Sequence, residues 1–325
     1  MEIQDRIYGK ITIKDKVIIE LINTPSFRRL KKISQDGASH FIQPVRNVTR
    51  YEHSIGVWYL SSKYKRPMEE QIASLLHDLS HTAFSHVADL VVKNSKHEYA
   101  DEKLKDVIFR STVPDIISSN GYDLEKVLDK TQFPLLDNSL PDVSVDRWDY
   151  FMRDGFAIGF LPESIIKLFL SSIFLKNDIF YFRDSRLASS FAILFVNFSR
   201  LIWLDPTSHG AYFLLAKAIK LGIKDKYITE SDLFTDDETL LSKLKKSSNP
   251  TILELIDRLQ PGKEFIYEEK SKAEFFGPNK PRYVDPFVES SGKLIRISKL
   301  VPSLEYFFKE FVKQYKTIGV SQLRK

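Results

Sequence analysis

From Asp15 to about residue 221 the chain repeats one pattern: apolar residues three and four apart, cut into lengths by proline and polar turns. Each length is one face of an amphipathic helix, so the fold class is mainly α. Val17, Ile18, Leu21 and Ile22 form the first stripe, which stops before Pro25, and Ser26 caps a second carrying Phe27, Leu30 and Ile33. Residues 35–49 read as a loop. Helices are expected over 53–64 and 68–79, parted at Pro67, then over 97–109, 144–153, 163–174, 187–203 and 208–221. Small hairpins are expected at 1–14, which alternates around Ile7, Ile11 and Ile13 with a turn at Gly9, and at 177–184.

Beyond residue 221 the texture changes. Residues 229–238 are acidic and short of apolar side chains, and Gly, Pro and alternating stretches around Phe265, Tyr267, Leu294 and Ile297 follow two further helical stripes at 240–246 and 251–259. A helix over 303–315 closes the series. The expected division is a helical catalytic core over 1–228, an acidic linker with helices over 229–261, and a small C-terminal α+β lobe with a basic tail over 262–325. Between 293 and 325 there are eight Lys or Arg against two Glu, either a solvated tail or a contact for an anion such as nucleic acid.

The 325 residues contain no cysteine, which removes disulfide scaffolds, thiolate metal sites and cysteine nucleophiles together. Any metal must be held by His, Asp and Glu. The most membrane-like stretch, 187–196, is too short to span a bilayer and carries serine, and the start lacks the order of a signal peptide, so the expectation is a soluble, cytoplasmic protein with no membrane partner. The net charge of +5 is small for this length and points only weakly to anionic partners.

Five of the seven histidines (His53, His77, His81, His86 and His97) fall within 45 residues, where an even spread would put about one. His77 and Asp78 are adjacent at the end of an apolar helix. Alone, such a pair is more often a capping aspartate beside a hydrogen-bonded histidine. His53 lies near the start of the preceding helix, and an antiparallel return brings it beside His77; Asp146 lies far downstream. Two imidazoles and two carboxylates from three helices would form a divalent-metal site with open positions for water, suited to hydrolysis at phosphorus. Such a set accepts Fe, Mn, Zn, Ni or Co, with Mg as a companion of the substrate phosphates.

The order His53, His77-Asp78, Asp146 resembles the HD-domain metal-dependent phosphohydrolases. Thr24-Pro25-Ser26-Phe27-Arg28-Arg29-Leu30, Arg50-Tyr51-Glu52-His53-Ser54, His77-Asp78-Leu79-Ser80-His81 through His86, and Asp146-Arg147-Trp148-Asp149-Tyr150-Phe151 through Asp154 are similar to their deoxynucleoside triphosphate triphosphohydrolase branch. The resemblance implies an HD-domain helical core and His53, His77, Asp78 and Asp146 as metal ligands. It implies a catalytic cluster of His81, His86, Asp89, His97 and Glu98, in which His86 is the general acid for a departing sugar oxygen. Arg50 and Arg147 would bind phosphate, or sit in ordinary ion pairs. Gln35 would lie beside the deoxyribose, Tyr150 pack on the sugar and exclude a 2′-hydroxyl, and Asp154 accept from the 3′-hydroxyl; for Tyr150 a place in the core is the alternative.

The resemblance thins in two places. The family's later Arg and Tyr contacts have no clean counterpart: Arg200 and Tyr212 are the candidates, with Pro206 bending the path. Asn23 and Lys31 stand where the branch reads a guanine nucleotide activator, so that activation does not carry over. The expected activity is hydrolysis of a deoxynucleoside triphosphate to deoxynucleoside and inorganic triphosphate by a homo-oligomer, dimer or tetramer. The rivals are hydrolysis of another nucleotide phosphoester, such as a nucleoside monophosphate, and a non-catalytic nucleotide or nucleic-acid binding module.

Overall fold

Thr49 starts the helix on which the site is built. In the computed structural model, which describes residues 1–92 and 98–323, its hydroxyl accepts from the Glu52 amide at 3.2 Å while the Glu52 carboxylate accepts from the Thr49 amide at 2.9 Å. This capping box satisfies two amides that a helix start leaves open, so Arg50–Lys63 begins three residues before the expected 53. His53 is therefore in the first turn. Ser144 does the same for Val145–Ala157, accepting from Arg147 N at 3.2 Å and placing Asp146 at the head of that helix. The helix Met68–Leu76 stops three residues short of the expected 79, with His77 as its C-cap. His77 and Asp78 thus stand on the turn after the helix.

Burial fixes how these helices meet. Ile55, Leu60, Ile72, Leu75 and Leu76 are almost wholly excluded from water, as are Trp148 and Phe151 one turn apart on Val145–Ala157. Trp148 stacks on Phe191 with ring centroids 4.6 Å apart, and Phe151 meets the same ring edge-on at 5.4 Å, which seats this helix on Ser185–Phe198. A second core gathers around Pro206–Lys224, with Asp237–Lys245 and Pro250–Asp257 packed on it through Leu240, Leu244, Ile252 and Leu255.

Ser185–Phe198 continues as a π-helical turn, Ser199–Trp203, before Pro206 opens the next helix at a bend of 46°. Proline fits the first turn of a helix because its missing N–H would have no partner there. The helix therefore restarts two residues before the expected 208. Among the described residues no single helix is long and apolar enough to cross a membrane.

The strands form three small sheets. Strands β1 (Glu2–Asp5) and β2 (Gly9–Thr12) make the expected N-terminal hairpin; β3 (Ile173–Lys176) and β4 (Ile179–Phe182) make the second. The C-terminal strands divide: β5 (Phe265–Tyr267), β6 (Phe275–Pro278) and β9 (Thr317–Gln322) form one antiparallel sheet, whereas β7 (Phe287–Ser290) and β8 (Lys293–Arg296) extend the second hairpin in the order β3-β4-β7-β8. β4 and β7 pair in parallel, so residues 287–296 are joined to the core sheet.

The acidic stretch 229–238 is packed and partly helical. Leu233 is 1% exposed and its carbonyl accepts from Ala83 N at 2.8 Å. Asp237 accepts from the Ser34 and Phe84 amides of the core, which the composition conceals. In the basic tail, Arg296 bonds Asp142, and Lys299 and Lys309 share Glu305, so part of its charge is neutralised internally.

Candidate active site

Four side chains meet where the turn after Met68–Leu76 faces the heads of the other two helices. His53 Nε2 is 3.0 Å from Asp146 Oδ1, 3.3 Å from His77 Nε2 and 3.6 Å from Asp78 Oδ2; His77 Nε2 is 3.4 Å from Asp78 Oδ1 and 3.6 Å from Asp146 Oδ1. The other imidazole nitrogens point away: His77 Nδ1 donates to the Ser74 carbonyl at 2.8 Å and His53 Nδ1 meets Asp149 Oδ2 at 2.8 Å. A carbonyl and a carboxylate only accept here, so each Nδ1 carries hydrogen and each Nε2 is turned to the common point. The His53, His77 and Asp146 ligand atoms lie close enough to share one cation, and Asp78 stands beside both imidazoles at 3.4 and 3.6 Å. Burial opposes a charge on His53, but Asp146 and Asp149 outweigh it and hold its pKa at about 10. Burial also opposes charge on Asp78 and Asp146, and the neighbouring Arg50 and histidines nevertheless keep both carboxylates ionised.

Behind His53 stands a brace. Asp149 accepts from Arg153 through both oxygens, at 2.8 and 2.9 Å, and from the Tyr8 hydroxyl at 2.7 Å. Arg153 donates to Asp5 at 3.0 Å, and Asp5 accepts from the Ile7 and Tyr8 amides at 2.7 and 2.9 Å. The N-terminal hairpin is thereby tied to the His53 imidazole, and each charge of this brace has a hydrogen-bonded partner.

The second group lies across Arg50. Its Nη1 donates to Asp78 at 2.7 Å, its Nε to Ser85 Oγ at 3.0 Å, and its Nη2 lies 3.2 Å from His86 Nε2. His86 Nδ1 faces Asp89 Oδ2 at 3.3 Å and Glu98 Oε2 at 3.4 Å. His86 holds Glu98 well below the usual carboxylate range, aided by Arg282 and Lys280 and opposed by burial. His81 Nε2 donates to Asp78 at 3.1 Å; burial first and Arg50 second push its pKa down to about 4, against the pull of Asp78. It is neutral at pH 7. His97 lies outside the described residues.

The turn between His81 and His86 is strained and held from outside. Phe84 and Ser85 both adopt left-handed backbone, φ 60° and 53°, which side chains disfavour. Asp237 accepts from Phe84 N at 2.6 Å and from Ser34 N at 2.9 Å, and Arg29 donates to the Leu79 and His81 carbonyls at 2.8 Å each.

A wall of polar groups flanks these clusters. Gln35 and Asp154 are at most 9% exposed, and Gln35 Oε1 and Asp154 Oδ1 accept from no donor among the described residues. Trp203 Nε1 donates to Asp154 Oδ2 at 3.3 Å, and its ring meets Tyr150 edge-on at 5.1 Å. Tyr150 also approaches His53, ring centroids 6.5 Å apart, so it is both packed and beside the cluster. Burial, and then the neighbouring Asp36 carboxylate, push Asp154 well up; burial also raises Asp36, against the pull of Arg46 and Arg50. Of the two late candidates, Tyr212 brings its hydroxyl to Gly37, where a Cβ would sit 2.6 Å away, while Arg200 is exposed. Arg147 is engaged by Asp137, the Asp142 carbonyl and Ser144, at 3.2 to 3.4 Å.

Sequence reasoning passes over Asp36, Asp149, Arg153, Tyr8 and Arg282. Asp149 and Arg153 carry a signal, for with Asp146 they recur every three or four residues on one helix. The others come from distant segments and carry none.

A fold of this kind around a His/Asp cluster defines a metal-dependent phosphohydrolase, and comparison with known proteins agrees. A family model for the HD domain matches residues 50–154, the span that contains all four clustered side chains. The chain is 37% identical over 299 residues to the uncharacterized protein YdhJ of Bacillus subtilis, covering 92% of this chain and 91% of that protein. It is 27% identical over 270 residues to the metal-dependent phosphohydrolase cns2 of Cordyceps militaris, covering 79% and 77%. To the deoxynucleoside triphosphate triphosphohydrolase SAMHD1 of Gallus gallus it is 30% identical over 206 residues, 48% of this chain and a third (33%) of that one. A crystal structure of a hypothetical protein from Aquifex aeolicus shares the fold over 99% of this chain and 95% of its own, with a TM-score of 0.73 at 19% identity. The chain belongs to the HD superfamily of phosphohydrolases.

Proposed function

We propose that the chain hydrolyses a deoxynucleoside triphosphate to deoxynucleoside and inorganic triphosphate. The observation that carries this reading is the bridge made by Arg50, whose guanidinium bonds Asp78 of the ligand cluster on one side and meets His86 on the other. A phosphate over that guanidinium has a cation site at one flank and a proton donor at the other. His53, His77, Asp78 and Asp146 would hold one divalent ion, Fe, Mn, Zn, Ni or Co, which when bound polarises a phosphoryl oxygen and acidifies water. Arg50, with three of its N–H groups already facing Asp78, Ser85 and His86, offers the phosphate the remaining N–H on each Nη. His86, its Nδ1 held by Asp89 and Glu98, accepts from Arg50 at Nε2 in the free protein, and it delivers a proton from Nε2 to the departing 5′-oxygen once phosphate has taken that guanidinium and Nε2 is protonated. His81, neutral at pH 7, orders Asp78. Gln35 Oε1 and Asp154 Oδ1 are acceptors for sugar hydroxyls, with Tyr150 as the ring beneath the sugar. The name of the Gallus relative supports the triphosphate substrate, and a homo-oligomeric assembly belongs to the same proposal.

One observation favours a second reading, hydrolysis of another nucleotide phosphoester whose sugar is ribose. Asp36 places a second buried carboxylate near Asp154, and two acceptors suit two vicinal hydroxyls better than one.

Incubating metal-loaded protein with the four deoxy- and four ribonucleoside triphosphates, and a monophosphate of each series, separates the two. Triphosphate released in one step from deoxy substrates alone supports the first reading. Orthophosphate, or ribonucleotide turnover, supports the second, and no turnover of any nucleotide ends both.

A further inference from the structure

The segment 279–286 runs without regular structure from the end of β6 to the start of β7, and so straps the C-terminal sheet to the core sheet. It is pinned along its length. Asn279 donates its amide to the Lys316 carbonyl at 3.0 Å and meets His209 Nε2 through its side chain at 3.0 Å; Arg282 donates its amide to Ser199 Oγ at 3.3 Å; Asp285 donates its amide to the Pro141 carbonyl at 2.9 Å. Tyr283 stacks on Phe308, centroids 4.8 Å apart, and Val284 is fully buried. Residues two apart on an extended chain share a side. Lys280 and Arg282 are such a pair, and both reach the catalytic groups.

Lys280 Nζ lies 3.2 Å from Glu98 Oε1, which locks the strap to the carboxylate that orients His86. Arg282 has gone further in. Its guanidinium carbon lies 5.9 Å from the Tyr150 ring centroid and 5.8 Å from that of Trp203, within cation–π reach of both, and the carboxylates whose fields act on it are Glu98 of the acid cluster and Asp146 of the ligand cluster. Yet among the described residues the guanidinium donates no hydrogen bond and stands within 4 Å of no carboxylate. Arg50 and Arg147, the two arginines that resemblance assigns to phosphate, are by contrast both occupied by protein acceptors. A half-buried guanidinium with no protein acceptor on any of its five N–H groups is free to take an anion.

We propose that Arg282, carried in on the 279–286 strap, is the grip for substrate phosphate beyond the group at the metal cluster, a task from which Arg200, exposed to solvent, is removed. Its fork fits two phosphate oxygens, and the aromatic pair beneath holds its plane. Lys280 is a positioning residue that keeps the strap against Glu98. This rests on the reading of the site as one for phosphorylated nucleotides and names which residue of this chain reads the phosphate chain.

Inorganic triphosphate is the probe, titrated by calorimetry into metal-loaded protein, wild type and Arg282→Ala, with Arg282→Gln as the second variant should the first melt early. Removing a charge-assisted bidentate contact should weaken triphosphate binding roughly 10- to 100-fold. With any nucleotide that turns over, the ratio of variant to wild-type KM should grow with phosphate number, and kcat should change less than KM. Lys280→Ala should give a smaller loss. Unchanged triphosphate affinity in a folded Arg282 variant, or no triphosphate binding by wild type, overturns the grip. Triphosphate binding that depends on Arg282 in a protein that hydrolyses no nucleotide upholds the grip and removes the proposed function; nucleotide hydrolysis indifferent to Arg282 does the reverse.

Discussion

Gly56 and Asp149 face each other across the crossing of Arg50–Lys63 with Val145–Ala157, so closely that a Cβ on residue 56 would stand 1.9 Å from Asp149 Oδ1 and 2.4 Å from the Arg153 guanidinium. Only a bare glycine lets the second helix bring Asp149 under His53, one turn earlier on the first. Helix propensity alone says Gly56→Ala should stabilise by about 1 kcal/mol. Sterics say otherwise, because Asp149 is locked in place by Arg153 and Tyr8. Overpacking of this kind costs roughly 1–3 kcal/mol. Gly56→Ala should therefore lower the melting temperature and reduce bound metal per chain; a variant of higher stability with full metal content would show that the crossing tolerates a side chain.

His86 is the group to test for proton delivery. It touches none of the four clustered ligands, and its carboxylate partners lie on its far nitrogen. Losing a general acid costs about 10²- to 10⁴-fold in rate. His86→Ala should keep metal stoichiometry and nucleotide binding while kcat falls by that factor. Turnover at the wild-type rate would remove His86 from the mechanism.

Asp237 holds the strained turn. Its two oxygens satisfy the Phe84 and Ser34 amides, and Asp237→Ala leaves both buried donors without acceptors. Each such loss costs roughly 1–3 kcal/mol. Asp237→Ala should melt well below wild type, and its kcat should drop because the turn that presents His86 loosens. The melting temperature and kcat measured together check this: a drop in neither would mean that Arg29 and the Leu233 carbonyl suffice.

How much of this was legible follows from where each partner sits in the chain. That His53, His77, Asp78 and Asp146 gather was legible from an apolar stripe ending at His77-Asp78, an antiparallel return to His53 and the family-like order of the four, whereas the capping box that sets His53 in the first turn lies in Thr49 and Glu52, inside a stretch that reads as loop. Tyr8 was not, because its bond to Asp149 spans 141 residues and nothing in a hairpin tyrosine announces it. The 229–238 stretch reads as a linker since its acids look solvated, yet Asp237 is spent on backbone amides 153 and 203 residues away. Arg282 sits beside Lys280 in a proline-containing loop, where one cation resembles the next. Only tertiary placement over Tyr150 and Trp203 separates it from Lys280.

His53 couples metal uptake to pH. In the folded, metal-free chain its pKa stands at about 10 against an ordinary 6.5, because the Asp146 and Asp149 carboxylates overcome the burial penalty. A group raised in the folded state adds stability that is complete below pH 6.5 and is lost as the pH climbs through 10. A metal ligand must give up that proton. Between these limits, chelator-treated protein should melt at progressively lower temperature as pH rises, while metal affinity increases by up to tenfold per pH unit for the one proton displaced. At pH 8, in weak buffer, loading should release about one proton per metal from this imidazole. Melting curves of stripped and reloaded protein from pH 6 to 10 read the effect directly, and a gap between them that stays constant would mean that His53 is already neutral before the metal arrives.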